Sequence, residues 1–343
     1  MKQMKMERIL IFELNWLGDI LFSFPVIKAL RVAFPSARIA VAVVPMYADL
    51  FKGNRCVDRV HILSGKRGAG AFLEKVRFLR EIAKEKYDTC FFLKPSGTKG
   101  FMALLSGICT RIGFSGKKMF LTHEVKTPSE DVHRVRRLLA LTEAAGISAE
   151  SDTYEYLVPE DNLKETVEEF RVVMESSREV IALNPGGNWD AKRWPAENFT
   201  RLSVEILKRL KDVEIVITGA EKDKPLAEKI VSEVNSERCH AVAGKTDLGQ
   251  AAALYKKCVL VVSADSGPIH LASAVGVTTI GIFGPTDPEI TGPRGIGKSV
   301  IVRGRVTCKI PCYEETCEKN YICMKNVTVQ RVLDEVLKAL GGG

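Results

Sequence analysis

Asp265-Ser266-Gly267-Pro268-Ile269-His270-Leu271 sets an acid, a hydroxyl, a flexible glycine and an imidazole within one short segment. It follows the apolar run Cys258-Val259-Leu260-Val261-Val262 and leads into Ala272-Ser273-Ala274-Val275. A β-branched run of that length reads as a buried parallel strand. Pro268 suits the first turn of a helix, where its missing N–H costs nothing, and Ser266 is placed to cap it. A strand end, a small loop and a helix N-terminus make an anion site, because free N–H groups and the helix dipole favour negative charge. With Asp265 and His270 flanking it, the segment suggests a phosphate-bearing ligand held for reaction.

Three further loops lie at expected strand ends. Asn15-Trp16-Leu17-Gly18-Asp19 follows the first strand and lacks the Gly-x-Gly-x-x-Gly dinucleotide spacing. Asp19 there is either a carboxylate stabilising a helix start or an ionised base that takes a proton from a hydroxyl. Asn184-Pro185-Gly186-Gly187-Asn188-Trp189-Asp190-Ala191-Lys192-Arg193-Trp194-Pro195 lets backbone approach a ligand at its twin glycines. Lys192 and Arg193 could neutralise a departing diphosphate; otherwise the loop docks Trp194 in the core and exposes its charges. In Thr218-Gly219-Ala220-Glu221-Lys222-Asp223, Glu221 could accept from ribose hydroxyls or serve a helix start. Gly284-Pro285-Thr286-Asp287-Pro288, after the next strand, neighbours the opening motif.

The elements that must position these loops alternate short apolar runs with longer amphipathic segments, the pattern of βαβ units. Strands are expected at Ile9–Phe12, Arg38–Val44, Arg59–Ile62, Thr89–Leu93 and Arg111–Gly113, with helices at Ile20–Ala33, Ala71–Lys86 and 129–146. A second series has strands at Val180–Leu183, Glu214–Thr218, Ala241–Ala243, Val259–Ser263 and Thr279–Phe283. Its helices are expected at Ala196–Lys211, Lys224–Ser236 and Thr328–Leu340. The polar stretch 148–160 or the end of the acidic helix Asp161–Ser176 marks a domain boundary. The division adopted is 1–176, 177–326 and a C-terminal helix, 327–343, packing back on the first domain. The expected fold is α/β, two Rossmann-like doubly wound domains facing across a cleft, with ligands beyond the carboxyl ends of the strands.

The chain has 343 residues and the hydrophobic and charged content of a soluble globular protein. No apolar stretch approaches the roughly 18–20 residues of a membrane span, and the basic N-terminus runs directly into a first strand rather than a signal peptide. A cytoplasmic location is expected. Residues 1–149 hold 25 Lys/Arg against 13 Asp/Glu, whereas the remainder holds 25 against 29. The positive first half is either a solvated surface or a face for an anionic partner: a membrane, an acidic glycolipid or, least favoured for want of a motif, nucleic acid.

Leu17-Gly18-Asp19, Asn184-Pro185-Gly186 with Lys192-Arg193-Trp194-Pro195, Asp265 to Leu271, and Phe283 to Pro288 occur in that order. Together they resemble glycosyltransferase family 9, the ADP-heptose:lipopolysaccharide heptosyltransferases, from about residue 8 to residue 340. The resemblance implies a GT-B fold, acceptor on the first domain and nucleotide sugar mostly on the second. It implies inverting transfer of heptose from ADP-L-glycero-D-manno-heptose to the lipopolysaccharide inner core. Asp19 is then the general base, with Lys192 and His270 in the catalytic group. Gly187, Asn188, Lys192, Glu221, Asp265, Ser266, Gly267 and His270 form the donor site. Where some members carry a hydroxyl pair, this chain has Gly187 and Asn188. No catalytic metal is implied, since Lys192 and helix N–H groups meet the diphosphate charge. The acceptor, Kdo-lipid A or heptosyl-Kdo-lipid A, is anionic and lies at the cytoplasmic face of the inner membrane, so peripheral membrane association is expected and nucleic acid is not. Lys94 and Lys99 are candidate contacts to acceptor anions. Another nucleotide-sugar transferase or epimerase, or a non-catalytic nucleotide-sugar-binding protein, are the competing readings. Cys308, Cys312, Cys317 and Cys323 are spaced more widely than zinc-ribbon knuckles and leave structural zinc, disulfides or free thiols open. Cys56, Cys90, Cys109, Cys239 and Cys258 read as small core residues.

Overall fold

The computed structural model of the chain describes residues 6–63, 69–116, 120–312, 314 and 317–341. Two compact units divide it, Met1–Tyr154 and Glu155–Gly343.

The first unit is built on strands β1 (Arg8–Phe12), β2 (Arg38–Val43), β3 (Arg59–Ile62), β4 (Thr89–Phe92), β5 (Thr110–Phe114) and β6 (His123–Val125). Helices α1 (Leu17–Ala33), α2 (Ala69–Glu85), α3 (Gly97–Leu105) and α4 (Arg134–Ala144) connect or flank them. The strands pair in parallel in the order β3-β2-β1-β4-β5-β6. Successive side chains of a strand point to opposite faces. Leu10 and Phe12 therefore share a face, where they meet Phe78 and Ile82 of α2 and Met102 and Ala103 of α3. Helices α1 and α4 pack against each other.

The second unit repeats the plan. Its strands are β7 (Glu179–Asn184), β8 (Val213–Ile217), β9 (Cys239–Ala241), β10 (Leu260–Ala264), β11 (Thr278–Phe283) and β12 (Ser299–Arg303). Their order, β12-β11-β10-β7-β8-β9, is that of the first sheet once its strands are renumbered from β7. The helices are α5 (Glu160–Glu169), α6 (Arg171–Met174), α7 (Ala196–Arg209), α8 (Lys224–Val234), α9 (Leu248–Lys257), α10 (Gly267–Ala274), α11 (Pro288–Thr291), α12 (Ile322–Lys325) and α13 (Val329–Ala339). Each sheet reverses its direction of strand addition at one place, β1/β4 and β7/β10. Crevices at such points receive ligands in doubly wound sheets.

Three expectations change. The units divide near Tyr154, not residue 176, because α5 packs on α9 and so belongs to the second unit. The acidic helix is interrupted at Phe170, whose φ of −116° and ψ of 38° leave the helical region. The C-terminal helix is part of the second unit. Thr328 caps α13 as expected, but Val329, Val332, Leu333 and Val336 enter the core of the second, against α7, β11 and β12. Helix α13 thereby buries its apolar stripe in the unit that carries the Asp265 motif. The edge strands β6 and β12 were not anticipated.

Candidate active site

In the first unit the reversal point lies between β1 and β4, and the loops leaving these strands carry Asp19 and Lys94. Asp19 lies in the first turn of α1, but its side chain makes no cap there; the N-cap residue is Trp16, which has no side-chain hydrogen bond to the helix. Arg134 Nη1 instead donates to Asp19 Oδ1 at 2.7 Å. Arg134 opens α4, and the preceding His133 is fixed as that helix's cap: its Nδ1 accepts from Val135 N at 3.1 Å while its ring meets Phe22 edge-on. Trp16 is 56% exposed.

At the end of β1, Glu13 is buried with its carboxylate held by Ser23 Oγ (3.0 Å) and Leu14 N (3.3 Å). Burial pushes its carboxyl up to about 8, against smaller lowering by those bonds and by Lys99. Lys99 donates from Nζ to the Glu13 carbonyl at 2.9 Å and lies 6.0 Å from the Phe12 ring centre. Burial pulls its ammonium down to about 8. The expected acceptor-anion contact at Lys99 is therefore engaged with backbone, whereas Lys94 is exposed at the end of β4.

In the second unit the reversal point lies between β7 and β10. Lys192, at the end of a short 3-10 turn after β7, donates to Asp265 Oδ2 at 2.6 Å. His270 Nε2 lies 3.7 Å from Asp265 Oδ1, and Thr291 Oγ1 reaches Oδ2 at 3.4 Å. Burial alone would raise the Asp265 carboxyl. The bond to His270 and the charge of Lys192 more than offset it and hold the group well below the usual carboxylate range. Asp265 thus joins the loop after β7 to the first turn of α10.

The glycine loop is tied down from its own side. Arg193 Nη2 and Nε donate to the Gly187 carbonyl at 2.6 and 3.2 Å, so this guanidinium grips the loop instead of standing free for a diphosphate. Lys222 Nζ donates to Asn188 Oδ1 (2.6 Å) and to the Gly187 carbonyl (3.2 Å). A side chain at Gly186 would put its Cβ 2.4 Å from Asp223 Oδ2, so only glycine lets the two loops meet. Trp194 is buried, donates from Nε1 to the Val327 carbonyl at 2.8 Å and meets Phe199 edge-on. Glu221 is exposed on the loop after β8.

Ser266 takes the N-cap position of α10, but its hydroxyl does not cap; it contacts Ser263 Oγ at 3.2 Å and the Ala264 carbonyl at 3.3 Å. The N-terminus of α10 is thus left without a side-chain cap from Ser266, which suits an anionic ligand. Asn184 Oδ1 and Thr286 Oγ1 are buried polar atoms with no partner among the described residues. Arg134, Glu13, Asn184 and Thr286 were not among the sequence candidates. For Arg134 a signal existed, the basic face of the helix containing Arg134, Arg136 and Arg137.

All four C-terminal cysteines are free thiols of intermediate exposure. Among the described residues no three of His, Cys, Asp or Glu are gathered to hold a metal ion, so neither structural zinc nor disulfides find support there.

A lipooligosaccharide heptosyltransferase 2 of Haemophilus influenzae is 28% identical over 313 residues, covering 86% of this chain and 88% of its own. Lipopolysaccharide heptosyltransferase 2 of Escherichia coli K12 is 25% identical over 346 residues, covering 96% and 97%. The solved structure of the E. coli ADP-heptose lps heptosyltransferase II, also 25% identical, superposes with a TM-score of 0.81 over 97% of this chain and 98% of that one. The model of glycosyltransferase family 9 (heptosyltransferase) matches residues 75–322. With two parallel α/β units of GT-B type and that match over most of its length, the chain belongs to glycosyltransferase family 9.

Proposed function

We propose that this glycosyltransferase moves heptose from ADP-L-glycero-D-manno-heptose to a hydroxyl of the lipopolysaccharide inner core, with inversion at the anomeric carbon. The observation that carries the reading is the Lys192–Asp265–His270 group beside the N-terminus of α10, with Lys192 hydrogen-bonded to Asp265 and His270 3.7 Å from its other oxygen. It gathers a cation, an imidazole and an uncapped helix N-terminus where a leaving diphosphate needs them.

Asp19 takes the proton of the acceptor hydroxyl as its oxygen attacks the anomeric carbon. The bond from that carbon to the phosphate oxygen breaks, and ADP leaves with the electron pair. Arg134 holds Asp19 in one orientation through the 2.7 Å ion pair. Charge developing on ADP is met by Lys192 and the α10 N–H groups, each good donor contributing about 3–4 kcal/mol to the barrier change. Asp265 acts through Lys192 and His270. Glu221 takes the ribose hydroxyls, and the backbone around Gly187 and Asn188, with Ser266 and Gly267, lines the phosphates. Lys94 meets acceptor anions. The acceptor is lipid-linked, which places the enzyme at the cytoplasmic face of the inner membrane; among the described residues no helix is long and apolar enough to cross one.

The test combines donor screening with Asp19→Asn. ADP-heptose should bind and turn over where UDP- and GDP-sugars do not. The variant should lose about 10²–10⁴-fold in kcat while keeping its affinity for ADP. Undiminished turnover would remove Asp19 as the base, and failure of ADP-heptose to react would remove the donor.

A further inference from the structure

Helix α3 breaks the ordinary rule for a surface helix. Met102 and Ala103 enter the core of the first unit, yet Phe101, Leu104 and Leu105, at i, i+3 and i+4 on the outer face, are 47%, 41% and 55% exposed. A helix apolar all round is normally buried on every side. On α2, which packs against α3, Phe72 and Leu73 stand 68% and 71% exposed near the start of the helix.

A third element is held in place to extend this face. Phe120 lies in the connection between β5 and β6 with a φ of 56°, an unfavourable setting for a bulky side chain. Arg111 fixes it there, donating from Nε to the Phe120 carbonyl and from Nη1 to the Ile108 carbonyl, both at 2.5 Å. The Phe120 ring, 45% exposed, then rests 5.6 Å from that of Phe101. A constrained backbone and an arginine thus serve to present an aromatic ring to solvent.

Cations accompany the face. Arg77 and Arg80 on α2 and Lys94 ahead of α3 are exposed, and residues 1–149 carry 25 Lys/Arg against 13 Asp/Glu. An exposed apolar patch of this kind marks an interaction surface, and one with a basic surround matches the acyl boundary of a bilayer with anionic headgroups. We infer that the outer face of α3, with Phe120 and the start of α2, docks the first unit onto an anionic membrane surface. The inference rests on the reading above in one respect, that the acceptor is lipid-linked. Helix α3 begins just after Lys94, so a docked face would keep the acceptor end of the sheet beside the headgroups.

The experiment is co-sedimentation of the full chain with vesicles of phosphatidylglycerol and phosphatidylethanolamine, against vesicles of phosphatidylcholine alone. Wild type should pellet with the anionic vesicles, less so as salt is raised. The triple variant Phe101→Ser, Leu104→Ser, Leu105→Ser should bind at least about tenfold more weakly. Should it fail to fold, Phe72→Ser with Leu73→Ser, on a helix start already two-thirds exposed, should weaken binding in the same direction. Transfer to a water-soluble truncated core should be unchanged in either variant. Wild type that ignores anionic vesicles, or variants that bind as wild type does, would overturn the inference. So would a concentration-dependent dimer, abolished by the substitutions, in a protein that does not bind vesicles. Wild type that binds vesicles but transfers nothing to the soluble core would support the docking face and count against the proposed reaction.

Discussion

Glu13→Gln isolates the consequence of burying a carboxyl at the end of β1. In the folded chain this carboxyl is pushed up to about 8 from an ordinary 4.5 because burial disfavours its charged form. The folded state therefore binds a proton that the unfolded chain has released, and stability falls as pH rises between those two values. From the two pKa values, wild type should lose roughly 3 kcal/mol between about pH 5 and pH 7.5, at 1.36 kcal/mol per unit. Lys99 hardly contributes in that window, since its ammonium is charged in both states below about 8. Glutamine keeps the oxygen that accepts from Ser23 Oγ. It forfeits the 3.3 Å bond from Leu14 N, a loss of about 0.5–1.5 kcal/mol. Urea denaturation at a series of pH values should show the variant slightly less stable at pH 5, more stable by roughly 2 kcal/mol at pH 7.5, and nearly flat between. Parallel profiles for the two proteins would refute the reasoning, because they would mean that Glu13 is ionised in the fold.

Asp265→Asn leaves Lys192 facing a neutral amide. Since that lysine is partly solvated, the fold should lose about 2–3 kcal/mol, less than a wholly buried pair would, and kcat/KM for the donor should drop by at least tenfold in steady-state assays. Arg134→Met frees the Asp19 carboxylate and should lower kcat by about tenfold with donor KM unchanged, with Arg134→Lys recovering part of it. Trp194→Phe deletes the donor to the Val327 carbonyl and part of a buried ring, for a loss of about 2–4 kcal/mol read from the shift in denaturation midpoint.

The central strands were legible because both of their faces are buried. Ile9–Phe12 and Val180–Leu183 are unbroken apolar runs, and the structure extends them by only a residue or two. The half-exposed edge strands β6 and β12 lack that signature, and β6 is only three residues long. Candidate site residues could be picked at strand ends, since acids, glycines and cations accumulate there. Their partners could not. Nothing local connects Asp19 with Arg134, which lies 115 positions away, or Lys192 with Asp265, which lies 73 away. Ser266 shows the complementary failure: the residue type and the position fit a cap, but a neighbouring serine and carbonyl compete for the hydroxyl. A boundary at residue 176 misses the division near Tyr154 because a polar linker and an acidic amphipathic helix look alike until the packing of α5 on α9 is seen.

The grip of Arg193 and Lys222 on the Gly187 carbonyl has a thermodynamic corollary. A glycine pair is the costliest segment of a chain to immobilise, and here it is ordered when the second unit folds, before any nucleotide arrives. If the loop lines the donor site as proposed, nucleotide affinity inherits the stability of that unit. Loosening the loop lowers the apparent affinity in proportion to the fraction still ordered, while a saturating nucleotide stabilises the fold by mass action. On that proposal, recognition and folding in this half of the molecule are two readings of one free energy.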